Sequence, residues 1–144
     1  MRSIVQKQKG FTLIETIVSL ALLGLISSLV FVSFNSLNNR QALDAQIDFV
    51  KSAINKTRTD ALNSRDGVDQ VFSFATTTIT YGGKTINLEN NVTLSSYTTG
   101  TRNISFYRLT GFPSATGTIV YKLQKGSKVI ATSTITINNL GIIE

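Results

Sequence analysis

From Phe11 to Phe34 the sequence reads FTLIETIVSLALLGLISSLVFVSF, 24 apolar and small residues that carry one charge, Glu15. Wound as a helix at about 1.5 Å per residue, this run is about 36 Å long. That length suffices for the roughly 30 Å hydrocarbon core of a bilayer. A cleaved secretory signal has a shorter apolar region closed by small residues, whereas here basic residues precede a full-length span. Arg2, Lys7 and Lys9 lie before the run, and no lysine or arginine follows until Arg40. This asymmetry predicts a single-pass chain in the cytoplasmic (inner) membrane, its N-terminus cytoplasmic and its C-terminal part outside.

The helix is expected to outlast the apolar run, because no proline or glycine occurs between Gly24 and Gly67. Leu43, Ile47, Val50, Ile54, Thr57 and Ala61 recur at helical spacing and form one apolar stripe. Asp44, Asp48, Lys51, Asn55 and Arg58 fall on the opposite side. A second sector, Ala42, Phe49 and Ala53, is suited either to a neighbouring subunit or to the edge of the chain's own sheet. One long helix is therefore predicted over residues 12 to about 63, ended by Asn63-Ser64-Arg65-Asp66-Gly67.

After Gly67 the sequence turns to threonine, isoleucine, valine and aromatics in alternation, which predicts strands. These are expected at Val71–Tyr81, Lys84–Leu88, Val92–Tyr97, Ile104–Arg108, Thr118–Gln124 and Lys128–Ile137. Gly82-Gly83 and Lys125-Gly126-Ser127 suit hairpin turns. The expected fold class is α+β: a long N-terminal helix, transmembrane in its first half and amphipathic in its second, packed on a small antiparallel β-sheet domain. Leu43, Ile47, Val50 and Ile54 supply the helix-to-sheet packing. The corresponding boundaries are 1–10 for a leader, 11–34 for the apolar helix, 35–63 for its amphipathic continuation and 64–144 for the β domain.

Composition narrows the chemistry. The chain has no histidine and no cysteine, which removes the commonest general base, the commonest metal ligands and any disulfide framework. No nucleophile motif or metal-ligand spacing is present, so no catalytic residue, metal or cofactor is expected. Asp66 and Asp69 beside Gly67 fall short of a calcium loop and suit a turn. The net charge is +6. Setting aside Arg2, Lys7 and Lys9 leaves eleven of the fourteen basic residues against eight acidic ones, a net +3.

At the junction of leader and apolar run stands Lys9-Gly10-Phe11-Thr12-Leu13-Ile14-Glu15. Basic leader, glycine, aromatic residue, isolated glutamate and long apolar span, in that order, resemble the prepilin processing motif of type IV pilins and type II secretion pseudopilins. The resemblance implies a pilin-like fold and cleavage between Gly10 and Phe11 by a prepilin peptidase, followed by N-methylation of Phe11. It implies that Glu15 pairs with the N-terminal amine of an adjacent subunit during assembly. A carboxylate in a membrane span costs on the order of 2.5–3.5 kcal/mol at the centre and less near the interface, so Glu15 needs a partner. Cleavage supplies one in the new amine at Phe11. Ile104-Ser105-Phe106, Gly117-Thr118-Ile119 and Ile135-Thr136-Ile137 with Leu140-Gly141 are similar to the GspH/FimT-type minor pseudopilin domain.

The resemblance therefore implies a structural subunit of a type IV pilus or a type II secretion-like filament. Its partners would be other pilin or pseudopilin subunits, the prepilin peptidase, an inner-membrane assembly platform and, before assembly, membrane lipid. The alternative is a DNA-binding minor pilin of a competence pilus. In that reading Arg102, Arg108, Lys122, Lys125 and Lys128 gather on one side of the sheet beside Tyr107 or Tyr121. Solvated surface charge is the favoured account of those residues, and the final residues Asn138 to Glu144 hold no basic side chain.

Overall fold

The structure is a computed structural model. It describes residues 10–144, with the side chains of 29–36 and 65 excepted, so Lys9 and the rest of the expected leader lie outside the described residues. By internal contacts the chain divides into two units, Met1–Leu37 and Asn38–Glu144. Helix α1 runs over Leu13–Leu62. It stops where Ser64 enters the left-handed region at φ 51°. The Ala61 carbonyl near its end accepts from the Ser64 amide at 3.0 Å and from the Leu109 amide at 3.0 Å. Carbonyls that a helix end leaves without a partner are thus taken up by the following turn and a distant loop.

A short 3₁₀ turn, Arg65–Gly67, leads into seven strands: β1 (Gln70–Phe74), β2 (Thr78–Tyr81), β3 (Lys84–Asn87), β4 (Val92–Tyr97), β5 (Asn103–Phe106), β6 (Gly117–Lys125) and β7 (Lys128–Ile137). The Val71–Tyr81 stretch, expected as one strand, is instead a hairpin of β1 and β2 with Phe72 opposite Tyr81 and Phe74 opposite Ile79. The Ala75 amide donates to the Thr78 carbonyl at 2.8 Å and closes the bend. Nothing in the alternation marks this turn, since Ala75-Thr76-Thr77 contains no glycine or proline.

The expected single sheet is also corrected. All pairings are antiparallel, but they form two sheets, ordered β3-β2-β1-β5 and β4-β6-β7. The change of sheet falls between β3 and β4, where Asn90 and Asn91 sit consecutively in the left-handed region at φ 57° and 58°. Asparagine tolerates that conformation better than most residues. Two such residues in succession turn the chain away from β3, and β4 pairs with β6. Gly82 and Gly83, both at positive φ, give the tight β2–β3 turn whose twist matches the flanking strands.

One core joins α1 to both sheets. Leu43, Ile47, Val50 and Ile54 are buried in it together with Phe72, Phe74, Ile79, Ile104 and Phe106 of the first sheet. Val92, Ile119, Tyr121, Leu123, Ile135 and Ile137 come from the second sheet. Thr57 and Ala61 complete the helical stripe, and the Thr57 hydroxyl donates to the Ala53 carbonyl at 2.8 Å. Of the second helical sector, Ala53 is buried in the same core and Ala42 and Phe49 pack against it. These residues therefore serve the chain's own packing.

Tyr121 is fully buried, and its hydroxyl has no hydrogen-bond partner among the described residues. Burial raises its ionisation well above the ordinary phenol value. An unpartnered buried hydroxyl costs about 1–3 kcal/mol, and the neutral form is favoured in the fold, so stability falls as pH climbs above about 10. Tyr121→Phe is expected to leave stability at pH 7 unchanged or higher in urea unfolding of residues 38–144, and to flatten the loss above pH 10. Ile54→Ala, at the centre of the stripe, is expected to cost about 2–5 kcal/mol in the same measurement.

Candidate functional site

The site built from the sequence motif lies at the start of α1. Gly10, Phe11 and Thr12 precede the helix and are exposed, Phe11 to 82%. Thr12 occupies the N-cap position. Its carbonyl accepts from the Glu15 amide at 3.1 Å and the Thr16 amide at 3.2 Å, and its Oγ1 accepts from the Glu15 amide at 3.4 Å. A hydroxyl side chain in this position satisfies a donor that the first helical turn leaves open. Threonine followed three residues later by glutamate is the capping-box pattern. Glu15 is the acidic residue of the first turn, where the positive end of the helix dipole favours a carboxylate.

Around and beyond Glu15 the helix exposes Leu13, Ile14, Ile17, Val18, Leu20, Leu22, Leu23, Leu25 and Ile26. The hydroxyls in this stretch turn inward on the helix itself. Thr16 Oγ1 donates to the Leu13 carbonyl at 2.8 Å, Ser19 Oγ to Glu15 at 2.7 Å and Ser28 Oγ to Leu25 at 2.8 Å. Such back-bonding leaves the outer surface able to meet an apolar environment. Among the described residues no helix is long and apolar enough to cross a membrane. The expected span of residues 11–34 includes side chains of 29–34 that lie outside the description.

At the far end of the C-terminal unit a residue assigned to the solvated face proves to be a clamp. Arg58 is half-buried; its Nη2 donates to the Leu140 carbonyl at 3.1 Å and its Nε to the Gly111 carbonyl at 3.4 Å. The approach is tight at Gly141, which has φ 72° and where an added Cβ would lie 2.8 Å from the Gly111 carbonyl oxygen and 2.9 Å from Arg58 Nε. Residues 138–144 fold back along β7: Thr136 and Glu144 exchange main-chain hydrogen bonds at 3.0 Å, and Asn138 Oδ1 accepts from the amides of Leu140 and Ile142. Helical spacing alone puts Arg58 opposite the apolar stripe, so the sequence signal for this role is no more than the two glycines it reaches.

Of the basic residues proposed for nucleic acid, Lys122, Lys125 and Lys128 share the β6–β7 hairpin, whereas Arg102 and Arg108 lie outside it. Arg102 lies over the Tyr97 ring at 5.7 Å. Arg108 is fixed beside the helix end, its amide donating to Asp69 Oδ1 at 2.8 Å and its Nη1 to the Gly67 carbonyl at 3.1 Å. Lys122 is paired with Thr93 and Thr132 in the middle of β6, and Lys125 faces Lys128 across the β6–β7 turn. Lys125 also borders Asn38, Asn39 and Ala42 at the beginning of this unit's helical part. Arg108 and Lys125 therefore stand at opposite ends of a helical stretch roughly 35 Å long at about 1.5 Å per residue. Tyr121 is buried and cannot stack on a base, which corrects that part of the expectation. Among the described residues no three acidic, histidine or cysteine side chains stand together as a metal site. A cleft of about 720 Å³ beside β1 and β2 is lined by Lys56, Asp60, Asp69, Tyr81 and Lys84 among others.

Comparison with known proteins adds one match: residues 5–31 fit the prokaryotic N-terminal methylation motif. No curated protein and no solved structure matches the chain. The motif is type IV pilin-like, and it implies a membrane-anchored precursor that is processed by a prepilin peptidase and assembles with other pilin subunits. It points to a structural subunit.

Hydrogen bonds from a charged donor contribute about 1.5–3 kcal/mol. Arg58→Ala is therefore expected to lower stability by about 1–3 kcal/mol. Amide exchange should quicken across 107–112 and 138–142 while β6 and β7 stay protected.

Proposed function

We propose that the chain is a minor pilin or pseudopilin, cut between Gly10 and Phe11, N-methylated at Phe11 and packed through its N-terminal helix into a type IV pilus or type II secretion-like filament. The observation that carries the reading is the first turn of α1, where Glu15 is the one charge on a helical surface otherwise apolar from Leu13 to Ile26. Such a surface is stable only against lipid or other apolar helices. Before cleavage, residues 11–34 anchor the subunit in the inner membrane with the leader in the cytoplasm. After cleavage, the amine of Phe11 on one subunit neutralises Glu15 on the next, which fixes their axial register. The C-terminal unit then lies on the outside of the filament. The β segments that prompted the GspH/FimT-type comparison fall in β5, β6 and β7, and that likeness supports a minor subunit.

Glu15→Ala separates assembly from folding, since Glu15 lies outside the Asn38–Glu144 unit. Sheared-filament fractions should lose the variant while its C-terminal unit unfolds at the same urea concentration as the wild type. Normal incorporation would contradict the proposal.

A further inference from the structure

We propose that Asn91 is an N-glycosylation site, the acceptor for a glycan carried on a polyprenyl diphosphate. This rests on the reading above that places the C-terminal unit outside the inner membrane, and it adds a covalent modification to that reading. Transfer joins Asn91 Nδ2 to the anomeric carbon of the glycan. The bond from that carbon to the diphosphate oxygen breaks, its electron pair leaves with the polyprenyl diphosphate, and one Nδ2 proton passes to a base of the transferase.

The acceptor signature is asparagine, any residue but proline, then serine or threonine, and it suits a surface loop. The sequence holds it at Asn55-Lys56-Thr57, Asn91-Val92-Thr93 and Asn103-Ile104-Ser105. The fold separates these places. Asn55 lies within α1, where its carbonyl accepts from Thr59 Oγ1 at 2.9 Å and the Thr57 hydroxyl donates to the Ala53 carbonyl at 2.8 Å. Asn103 lies in β5, and Thr101 Oγ1 engages both its amide and its carbonyl. Asn91 stands in a turn, exposed and at φ 58°, which the Val92 amide closes by donating to the Glu89 carbonyl at 3.1 Å. A hollow of about 450 Å³ beside it, bordered by Thr77, Asn90, Gln124 and Gly126 among others, leaves room for a sugar.

Thr93 carries a hydroxyl that the fold does not use: its Oγ1 is buried without a hydrogen-bond partner among the described residues. An orphaned hydroxyl opposes folding, and valine has the same shape and suits a strand as well. The acceptor signature, by contrast, requires a hydroxyl at this position. Glu89, exposed two residues before Asn91, adds a carboxylate by which an enzyme with a basic side chain can hold the segment. Ala53 and Thr101 stand at that place before Asn55 and Asn103. Because the folded unit covers Thr93 Oγ1, the transferase meets the chain before β4 pairs with β6.

The test is co-expression of the full-length chain with an oligosaccharyltransferase and its polyprenyl-diphosphate-linked oligosaccharide, followed by mass spectrometry of peptides from the membrane fraction. A flexible Glu-Gly-Asn-Ala-Thr tag after Glu144 reports whether the C-terminal unit reaches the enzyme. Wild type is expected to carry the glycan on Asn91 and on the tag, and not on Asn55 or Asn103. Asn91→Gln should lose the first and keep the second. Thr93→Val should cut the fraction modified at Asn91 about 10⁴-fold, the discrimination reached by a site built to hydrogen-bond a hydroxyl. Its β4 amides should stay as protected from exchange as in wild type, and Thr93→Ser should keep the glycan. The inference is overturned if the tag is modified and Asn91 is not, if Asn55 or Asn103 is modified in its place, or if Thr93→Val keeps the glycan or Thr93→Ser loses it. Lost β4 protection in Thr93→Val would give the hydroxyl a role in the fold and overturn it too. An unmodified tag would overturn the outward placement of the unit and this inference with it.

Discussion

Burial of one face of α1 is the constraint on which the C-terminal unit depends. Neither the four-stranded nor the three-stranded sheet is closed on itself, and small sheets gain independent stability by covering an apolar face. Leu43, Ile47, Val50, Ile54, Thr57 and Ala61 provide a buried stripe in common with both. Direct main-chain links between the sheets include the Leu94 amide of β4 donating to the Thr76 carbonyl of the β1–β2 turn at 2.8 Å. With no cysteine to cross-link the chain, apolar packing has to hold these layers, and Arg58 adds polar fastening where the stripe runs out.

The same helix presents a second surface with opposite needs. From Leu13 to Ile26 its large apolar side chains are exposed among the described residues. Water is a poor environment for so continuous a surface. Back-bonded hydroxyls at Thr16, Ser19 and Ser28 remove the polar demand that would oppose transfer into an apolar phase. One helix thus contributes to the core of a folded unit over its second half and exposes an apolar surface over its first, with Glu15 as the acidic residue of its first turn.

Much of this was legible in the sequence because it is written in periodicity. The helical stripe, the extent of β4 and β7, and the Gly82-Gly83 turn all follow from spacing or from a residue with special backbone freedom. The two-sheet arrangement was not, because Asn90 and Asn91 are acceptable in ordinary loops and only their consecutive left-handed conformation redirects β4. The β1–β2 bend escaped for the opposite reason, being made by Ala75 and two threonines that strands also use. Arg58 and Tyr121 depend on contacts between residues far apart in the chain: one spans to Gly111 and Leu140, and the other points a phenol into a core where no acceptor among the described residues meets it. At the N-terminus the motif was visible as chemistry, whereas the cap made by Thr12 became evident with the hydrogen bonds.

The central claim is that the apolar helix becomes an assembly element when the chain is cut at one peptide bond. The most direct measurement is the intact mass and N-terminal sequence of the full-length chain recovered from membranes after co-expression with a prepilin peptidase. The account predicts a chain that begins at Phe11 and carries one added methyl on its amine. An uncut chain, or a new terminus at any other residue, would contradict it.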